Sequence, residues 1–302
     1  MVKYEIRKRF LLCKEKRLIT SKKEGLPMSE TLLARLYELM IIIYASSLCL
    51  YFFDYLKKNI KIRRAAFWLV STVWVMQTVF ITFFVLEEKR FPVLTLFEGI
   101  FFYAWLLVTL SIVLHCIARV DLPVVFINVL GFIFVTIYLF GSNNKTNPLG
   151  ETIVSEMLII HISLSILSYA MFTLTFVFSI LYLNMYRLLK KKKLTSMWSR
   201  LPNLGQTSNW MNNSIFIGVP LLGISLILGL EWAWLTLDQV SLFDVKIIGS
   251  FILTVIYLTL ILLHRSGKLL GTSYAWANIY VYLALVINFF LGNSLSDFHL
   301  WV

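Results

Sequence analysis

MLIIHISLSILSYAMFTLTFVFSILYL, residues 157–183, holds no acid, lysine or arginine and exceeds the roughly 20 mainly apolar residues a helix needs to cross a bilayer. Working outward from it, seven more runs of this kind stand at roughly 36–56, 65–86, 94–115, 122–141, 214–235, 246–264 and 273–292. The polar stretches between them are short, and even the longest, 142–156 and 188–213, cannot bury a core of their own. Composition agrees with that pattern. Of 302 residues, 59% are hydrophobic and 15% charged, and mean hydropathy is +0.80, which leaves more apolar surface than a water-soluble globule can hide. The predicted fold class is all-α, a polytopic integral membrane bundle of eight transmembrane helices.

The net charge of +12 would suggest nucleic acid if the cations were clustered on one soluble face, but they lie in short loops between apolar runs. Basic residues gather at Lys57 to Arg64, Arg119, Arg187 to Arg200, and Arg265 with Lys268; the alternate loops hold only Lys89, Arg90, Lys145 and Lys246. Short cytoplasmic loops collect Lys and Arg. Both termini are therefore expected outside, with the basic loops cytoplasmic and no nucleic-acid partner. Cys13, Cys49 and Cys116 are far apart and show neither a disulfide framework nor a zinc spacing.

This topology sorts the four histidines into two pairs. His161, near the outer end of the fifth run, and His299, in the outer C-terminal tail, share one face; His115 and His264 end the third and seventh runs at the other. Neutral imidazoles are common metal ligands, and two of them complete six-coordinate haem iron in an apolar, aromatic pocket. The competing reading is that histidines at helix ends meet solvent, headgroups or a helix C-terminal dipole. His161 is the exception, since a polar side chain inside an apolar run is a functional-site hypothesis by default.

Intramembrane carboxylates form a second set: Glu38, Glu98 and Glu231. They mark an ion or proton route or interface residues, and Glu98 follows Arg90-Phe-Pro closely enough to pair with that arginine and fix the outer loop. A third feature is the stretch from Gly229 to Lys246, with Trp232, Trp234, Asp238, Phe243 and Asp244. It reads either as an interfacial aromatic belt or as a ligand-facing shelf flanked by His161 and His299. No Walker loop, Rossmann fingerprint, nucleophile elbow or HExxH is present in the sequence.

The order of these features resembles the CcsA/CcmC cytochrome c assembly family, whose members handle haem at the outer membrane face, and in particular its HemX-type branch. Arg90-Phe-Pro-Val-Leu-Thr-Leu-Phe-Glu98, with Tyr103-Ala-Trp105, is similar to the family's aromatic start of an early helix. Ile160-His161-Ile, running on to Ser168-Tyr169-Ala, resembles the segment with its first outer haem histidine. Leu201-Pro-Asn-Leu204 and Ile217 to Gly229 resemble the approach to its tryptophan-rich shelf; His264-Arg265 and Phe298-His299 resemble its inner and second outer histidines. The shelf itself departs from the family pattern. Glu231-Trp232-Ala-Trp234 is followed by Phe243-Asp244-Val245-Lys246 where Trp-Asp-Pro-Lys is expected.

What the resemblance implies is a multi-pass protein of a bacterial plasma membrane that binds haem b without covalent attachment and does not turn it over. His161 and His299 would be the axial ligands, Trp232, Trp234, Asp244 and Glu98 the support, and His264 with His115 an inner site. The role implied is cytochrome c biogenesis or haem supply and regulation of tetrapyrrole synthesis. Partners would be cytochrome c assembly proteins or glutamyl-tRNA reductase. Two alternatives stand beside it: a membrane adaptor that controls the reductase level through its basic loops without haem, and a small-solute permease using Glu38, Glu98 and Glu231.

Two domains are expected: a basic extension, 1–27, and a single eight-helix membrane domain, 28–302. The extension carries nine Lys or Arg, which favours an inside N-terminus and conflicts with the loop pattern. It is not followed by a signal-peptide cleavage pattern. Translation from Met28 resolves the conflict, because Lys23-Glu24-Gly25 can be encoded by a purine-rich, ribosome-binding-site-like stretch. N-terminal sequencing of the native protein is expected to start at Met28; a start at Met1 would make the extension a genuine basic tail on anionic lipid.

Overall fold

The computed structural model describes residues 27–57, 59–118, 121–141, 155–192, 203–236 and 244–295. They form eight helices: α1 (Pro27–Lys57), α2 (Ile60–Glu88), α3 (Leu96–Ala118), α4 (Asp121–Gly141), α5 (Glu156–Lys190), α6 (Leu204–Thr236), α7 (Val245–Arg265) and α8 (Gly271–Leu295). All eight are long and apolar enough to cross a membrane, and no strand occurs among the described residues. The expected extension 1–27 falls almost entirely outside them.

Each apolar run grows into a longer helix where polar neighbours supply a cap. α6 starts at Leu204, ahead of the expected 214, because Asn203 and Gln206 form a reciprocal cap: the Gln206 N–H donates to Asn203 Oδ1 (2.6 Å) and the Asn203 N–H to Gln206 Oε1 (3.4 Å). α5 begins behind Ser155, whose hydroxyl accepts the Leu158 N–H, and runs on to Lys190. In a bilayer the usual in-and-out pattern inverts. Large apolar side chains such as Trp68, Leu86, Phe140 and Ile227 face outward, while Ser47, Gln77, Asn128 and Ser168 lie buried between helices, as expected where helix contact depends on small and polar groups.

The largest helix contact is between antiparallel α5 and α6. Its hydrogen bonds recur every seventh residue of both helices. Ser225 Oγ donates to the His161 carbonyl (2.8 Å), Ser168 Oγ to the Gly218 carbonyl (2.8 Å), and Thr175 Oγ1 reaches the Met211 carbonyl (3.5 Å). Positions 161, 168 and 175 thus face 225, 218 and 211, the spacing of a coiled-coil seam. At Gly218 an added Cβ would lie 2.8 Å from the Phe172 ring, so glycine is what lets the helices close.

On either side of this seam stand two groups. α7 and α8 pack as a hairpin against α6 and α5, while α1 to α4 pack among themselves and meet α5 through α3 and α4. A closed clasp joins α2 to α3: Trp74 Nε1 donates to Thr109 Oγ1 (2.8 Å), which donates to the Trp105 carbonyl, and Trp105 Nε1 donates to Thr78 Oγ1 (2.9 Å), which donates to the Trp74 carbonyl. Alternation along the chain puts His161 near one end of the bundle. The opposite end carries Lys61, Arg63 and Arg64, Arg187 and Lys190 to Lys192, and Arg265 with Lys268. These ends are called the His161 face and the basic face below.

Between α2 and α3, on the His161 face, the Arg90–Glu98 pair suggested by the sequence is formed. Arg90 Nη1 and Nη2 donate to Glu98 Oε2 (2.8 Å) and Oε1 (2.7 Å), with side chains only 18% and 14% exposed. Glu98 also caps α3. Its carboxylate accepts the Leu94 and Thr95 N–H groups while Thr95 Oγ1 accepts the Glu98 N–H, a Thr-x-x-Glu capping box. Hydrogen bonding to Glu98 raises the Arg90 pKa above the ordinary arginine value, outweighing burial, which pulls the other way. A raised folded-state pKa contributes stability that is complete below the unfolded value and is lost only as pH rises through the raised one; through neutral pH this contribution is constant. Glu98→Gln is expected to cost about 1.5–3 kcal/mol, read as a lower thermal unfolding midpoint in detergent. An unchanged midpoint would show that the pair does not hold this corner.

Candidate functional site

A cavity of about 360 Å³ opens in the half of the bundle nearer the His161 face, walled by residues from all six helices α3 to α8 and none from α1 or α2. Its lining is mostly Leu, Ile, Val and Phe, including Leu96, Ile162, Leu226 and Phe289. Polar groups are few and sorted by depth. His161 in the second turn of α5 and Lys246 in the first turn of α7 lie near the face, while Tyr103, Tyr169 and Tyr282 line the inner end. There Thr173 Oγ1 joins the hydroxyls of Tyr103 and Tyr282, bonding α3, α5 and α8 together beneath the cavity. An apolar pocket with a few convergent polar groups is the usual form of a ligand site.

His161 is 7% exposed and its ring is held from α6. Nδ1 lies 2.6 Å from the Ser225 carbonyl oxygen. A carbonyl only accepts, so Nδ1 carries a hydrogen, and in the neutral ring the lone pair is then on Nε2. Ser225 Oγ lies 3.0 Å from the same nitrogen, and it also contacts Ser165 Oγ and the His161 carbonyl. Gly229, one turn further along α6, lies against the ring: a Cβ there would sit 2.5 Å from Cε1. The result is an imidazole of fixed orientation on the wall of an apolar cavity, with its Nδ1–H directed at a carbonyl, the arrangement seen when a second hydrogen bond orients a metal-binding histidine.

The other sequence candidates fall elsewhere. His299 lies outside the described residues. Glu98 caps α3 beside the cavity and does not line it. Asp244 is the N-cap of α7, accepting the Lys246 N–H at 2.8 Å. Trp232 is 4% exposed but absent from the lining; it continues the every-seventh-residue stripe of α6 one rung past Ser225 and belongs to the core. Trp234 lies two residues on, about 200° around the helix, and is 70% exposed, so the expected aromatic shelf of both tryptophans does not face the cavity.

The two histidines of the basic face are held separately. His115 stacks on Phe67 (4.3 Å between centroids) in a pocket lined only by residues of α2 and α3, including Arg63 and Arg64. His264 stacks on Tyr274 of α8 (4.1 Å), with Nδ1 3.1 Å from the Leu269 carbonyl oxygen. The structure does not bring His264 to the His115 pocket. Nor do the three acids share a route: Glu38 is exposed and pairs with Arg35 (2.8 Å), Glu231 is exposed, and no Asp or Glu is among the described residues that line the cavity. Lys246 and the tyrosine floor are the residues the sequence reading missed. The signal for Lys246 was present, as a lysine directly inside a helix start whose Asp cap fixes its direction.

Residues 93–300 match the family described as cytochrome C assembly protein. That span starts just before α3 and takes in every residue lining the cavity. Protein HemX of Bacillus subtilis (strain 168) is 44% identical over 273 residues, covering 90% of this chain and 99% of the relative. Protein HemX of Brevibacillus brevis is 36% identical over 267 residues, covering 88% and 97%.

Because Ser225 fixes the His161 ring, it cannot swing aside for a larger neighbour. Gly229→Ala is expected to destabilise the protein by about 1–3 kcal/mol through overpacking, measured by thermal unfolding in detergent. A neutral outcome would mean the imidazole is not locked.

Proposed function

The chain belongs to the cytochrome c assembly protein family, and we propose that it holds one haem in the cavity between α3 and α8, with His161 as an axial ligand. It is a multi-pass membrane protein of haem-related function. One observation carries the finer reading. His161 stands on the wall of an apolar cavity with its ring held by Nδ1–H to an acceptor-only partner, which in the neutral ring puts the lone pair on Nε2. The residues present fit the group, since a neutral imidazole supplies the axial bond and the aliphatic and aromatic walls take the macrocycle. Haem iron so placed would be available for coordination and for redox or sensing.

The chain's own residues do the rest. Ser225 holds the ring and keeps Nδ1 protonated, Gly229 gives the ring its place, and the apolar walls exclude water that would compete for the metal. His299, four residues beyond the end of α8 in the sequence, would be the second residue to hold the haem iron. The basic face is cytoplasmic in the plasma membrane of the cell, by the excess of Lys and Arg there. The role is haem supply or handling in tetrapyrrole metabolism or cytochrome c biogenesis.

Visible spectra with reduced-haem quantification, for detergent-purified native chain and for His161→Ala and His299→Ala, test this. A low-spin bis-histidine spectrum is expected for the native chain, turning high-spin or vanishing in either variant. Haem occupancy and spectrum unchanged in His161→Ala would overturn the site. No haem in the native chain, even after incubation with hemin, would leave the adaptor acting through the basic face.

A further inference from the structure

We propose that the second cavity, at the basic face between the start of α2 and the end of α3, holds one anionic phospholipid, with its phosphate at Arg64 and its hydrocarbon along Phe67 and Trp68. The site is separate from the His161 cavity and does not depend on the haem reading.

Its walls follow from helical spacing. Ile60, Arg63, Arg64, Phe67 and Trp68 recur at three- and four-residue intervals, so they share one face of α2. His115 and Cys116 of α3 close the other side, and the space between is about 400 Å³. The register of the two helices sets how deep it reaches. In the clasp Thr78 meets Trp105 and Trp74 meets Thr109, and the Phe67–His115 stack, 4.3 Å between centroids, continues the same antiparallel order toward the basic face. The stacked rings therefore form the inner end of the cavity, with the arginines nearer its mouth.

Polarity changes with depth in the order a phospholipid needs. Arg63 and Arg64 stand four and five residues into α2, and Trp68 lies four residues beyond Arg64, about 6 Å deeper. Ile60 and Trp68 are exposed beside the cavity, as are Val113 and Ile117 on the Cys116 side of α3. A phosphate at the level of the arginines thus has its hydrocarbon against apolar side chains that face lipid, whereas a soluble anion would leave them uncovered. Basic pockets between membrane helices are a usual form of anionic-headgroup site. Arg63, half-buried, and Asp54 of α1, buried, both have interactions within the protein. The phosphate is assigned to Arg64, which is exposed at the mouth and whose planar guanidinium matches two phosphate oxygens.

Native mass spectrometry of the detergent-purified full chain, with phosphatidylglycerol and phosphatidylcholine of the same chain length, counts the retained lipid and tests the assignment. One phosphatidylglycerol is expected to be held about fivefold more tightly than phosphatidylcholine, the ratio set by one arginine near a lipid surface. Arg64→Gln should remove that preference, while Lys268→Gln, elsewhere on the basic face, should keep it. Equal retention of the two lipids by the native chain overturns the assignment even if Arg64→Gln fails to fold. So does a preference that survives in Arg64→Gln, or one lost as fully in Lys268→Gln, which would reduce it to a general attraction of the basic face. Displacement of the lipid by an equal concentration of glycerol phosphate would show a site for soluble phosphate and overturn the lipid assignment too.

Discussion

The hydrogen bond from His161 Nδ1 to the Ser225 carbonyl depends on the α5–α6 seam, and the site depends on that bond. Within a bilayer no water is available to satisfy a polar group, so each must find a partner inside the protein. Along this seam the partners are small: Ser168 to Gly218 and Ser225 to His161, seven residues apart on both helices. A bulky side chain at either place would separate the helices and carry Ser225 away from the ring. The geometry of one imidazole is thus set by a packing rule that runs the length of two membrane spans.

The rest of the molecule supports that seam unevenly. α3 to α8 build the cavity, and the family span begins where α3 does. α1 and α2 contribute no lining; they are tied on by the Trp–Thr clasp between α2 and α3 and by the Tyr44 hydroxyl donating to Asn128 on α4 (3.1 Å). The Arg90–Glu98 corner then fixes the start of α3, whose Leu96, Gly99 and Ile100 form part of the wall. A salt bridge that looked from the sequence like a rival to function supports the site through the backbone.

The eight spans were legible because lipid demands long apolar runs, a constraint written residue by residue, and because loops carry the charge. His161 stood out for the same reason, as an imidazole in an apolar run, and the structure places its ring on the cavity wall. What was not legible depends on rotation about helix axes. Trp232 and Trp234 are adjacent in the aromatic text yet face nearly opposite ways, one into the seam and one outward. Lys246 reads as a loop charge until the Asp244 cap shows the helix already begun. A low-contrast sequence, apolar on every face of each helix, leaves the buried side to be decided by small residues such as Gly218 and Gly229, whose fit is visible only in three dimensions.

The three described histidines separate by the origin of their partners. His264 meets the Leu269 carbonyl, five residues along its own chain, in the turn that ends α7, and so serves to close a helix terminus. His115 lies face to face with Phe67 in an open pocket at the basic face. His161 instead takes its partner from another helix, 64 residues away in sequence, across the α5–α6 seam. A helix end needs a cap wherever it falls, and any nearby polar group can provide one. An imidazole whose Nδ1–H is held across a helix interface and whose ring is given a glycine to rest on requires several residues of two helices to agree. That agreement is not needed for stability, since an apolar side chain would fill the same space at no polar desolvation cost, and it is what a ligand-binding histidine requires.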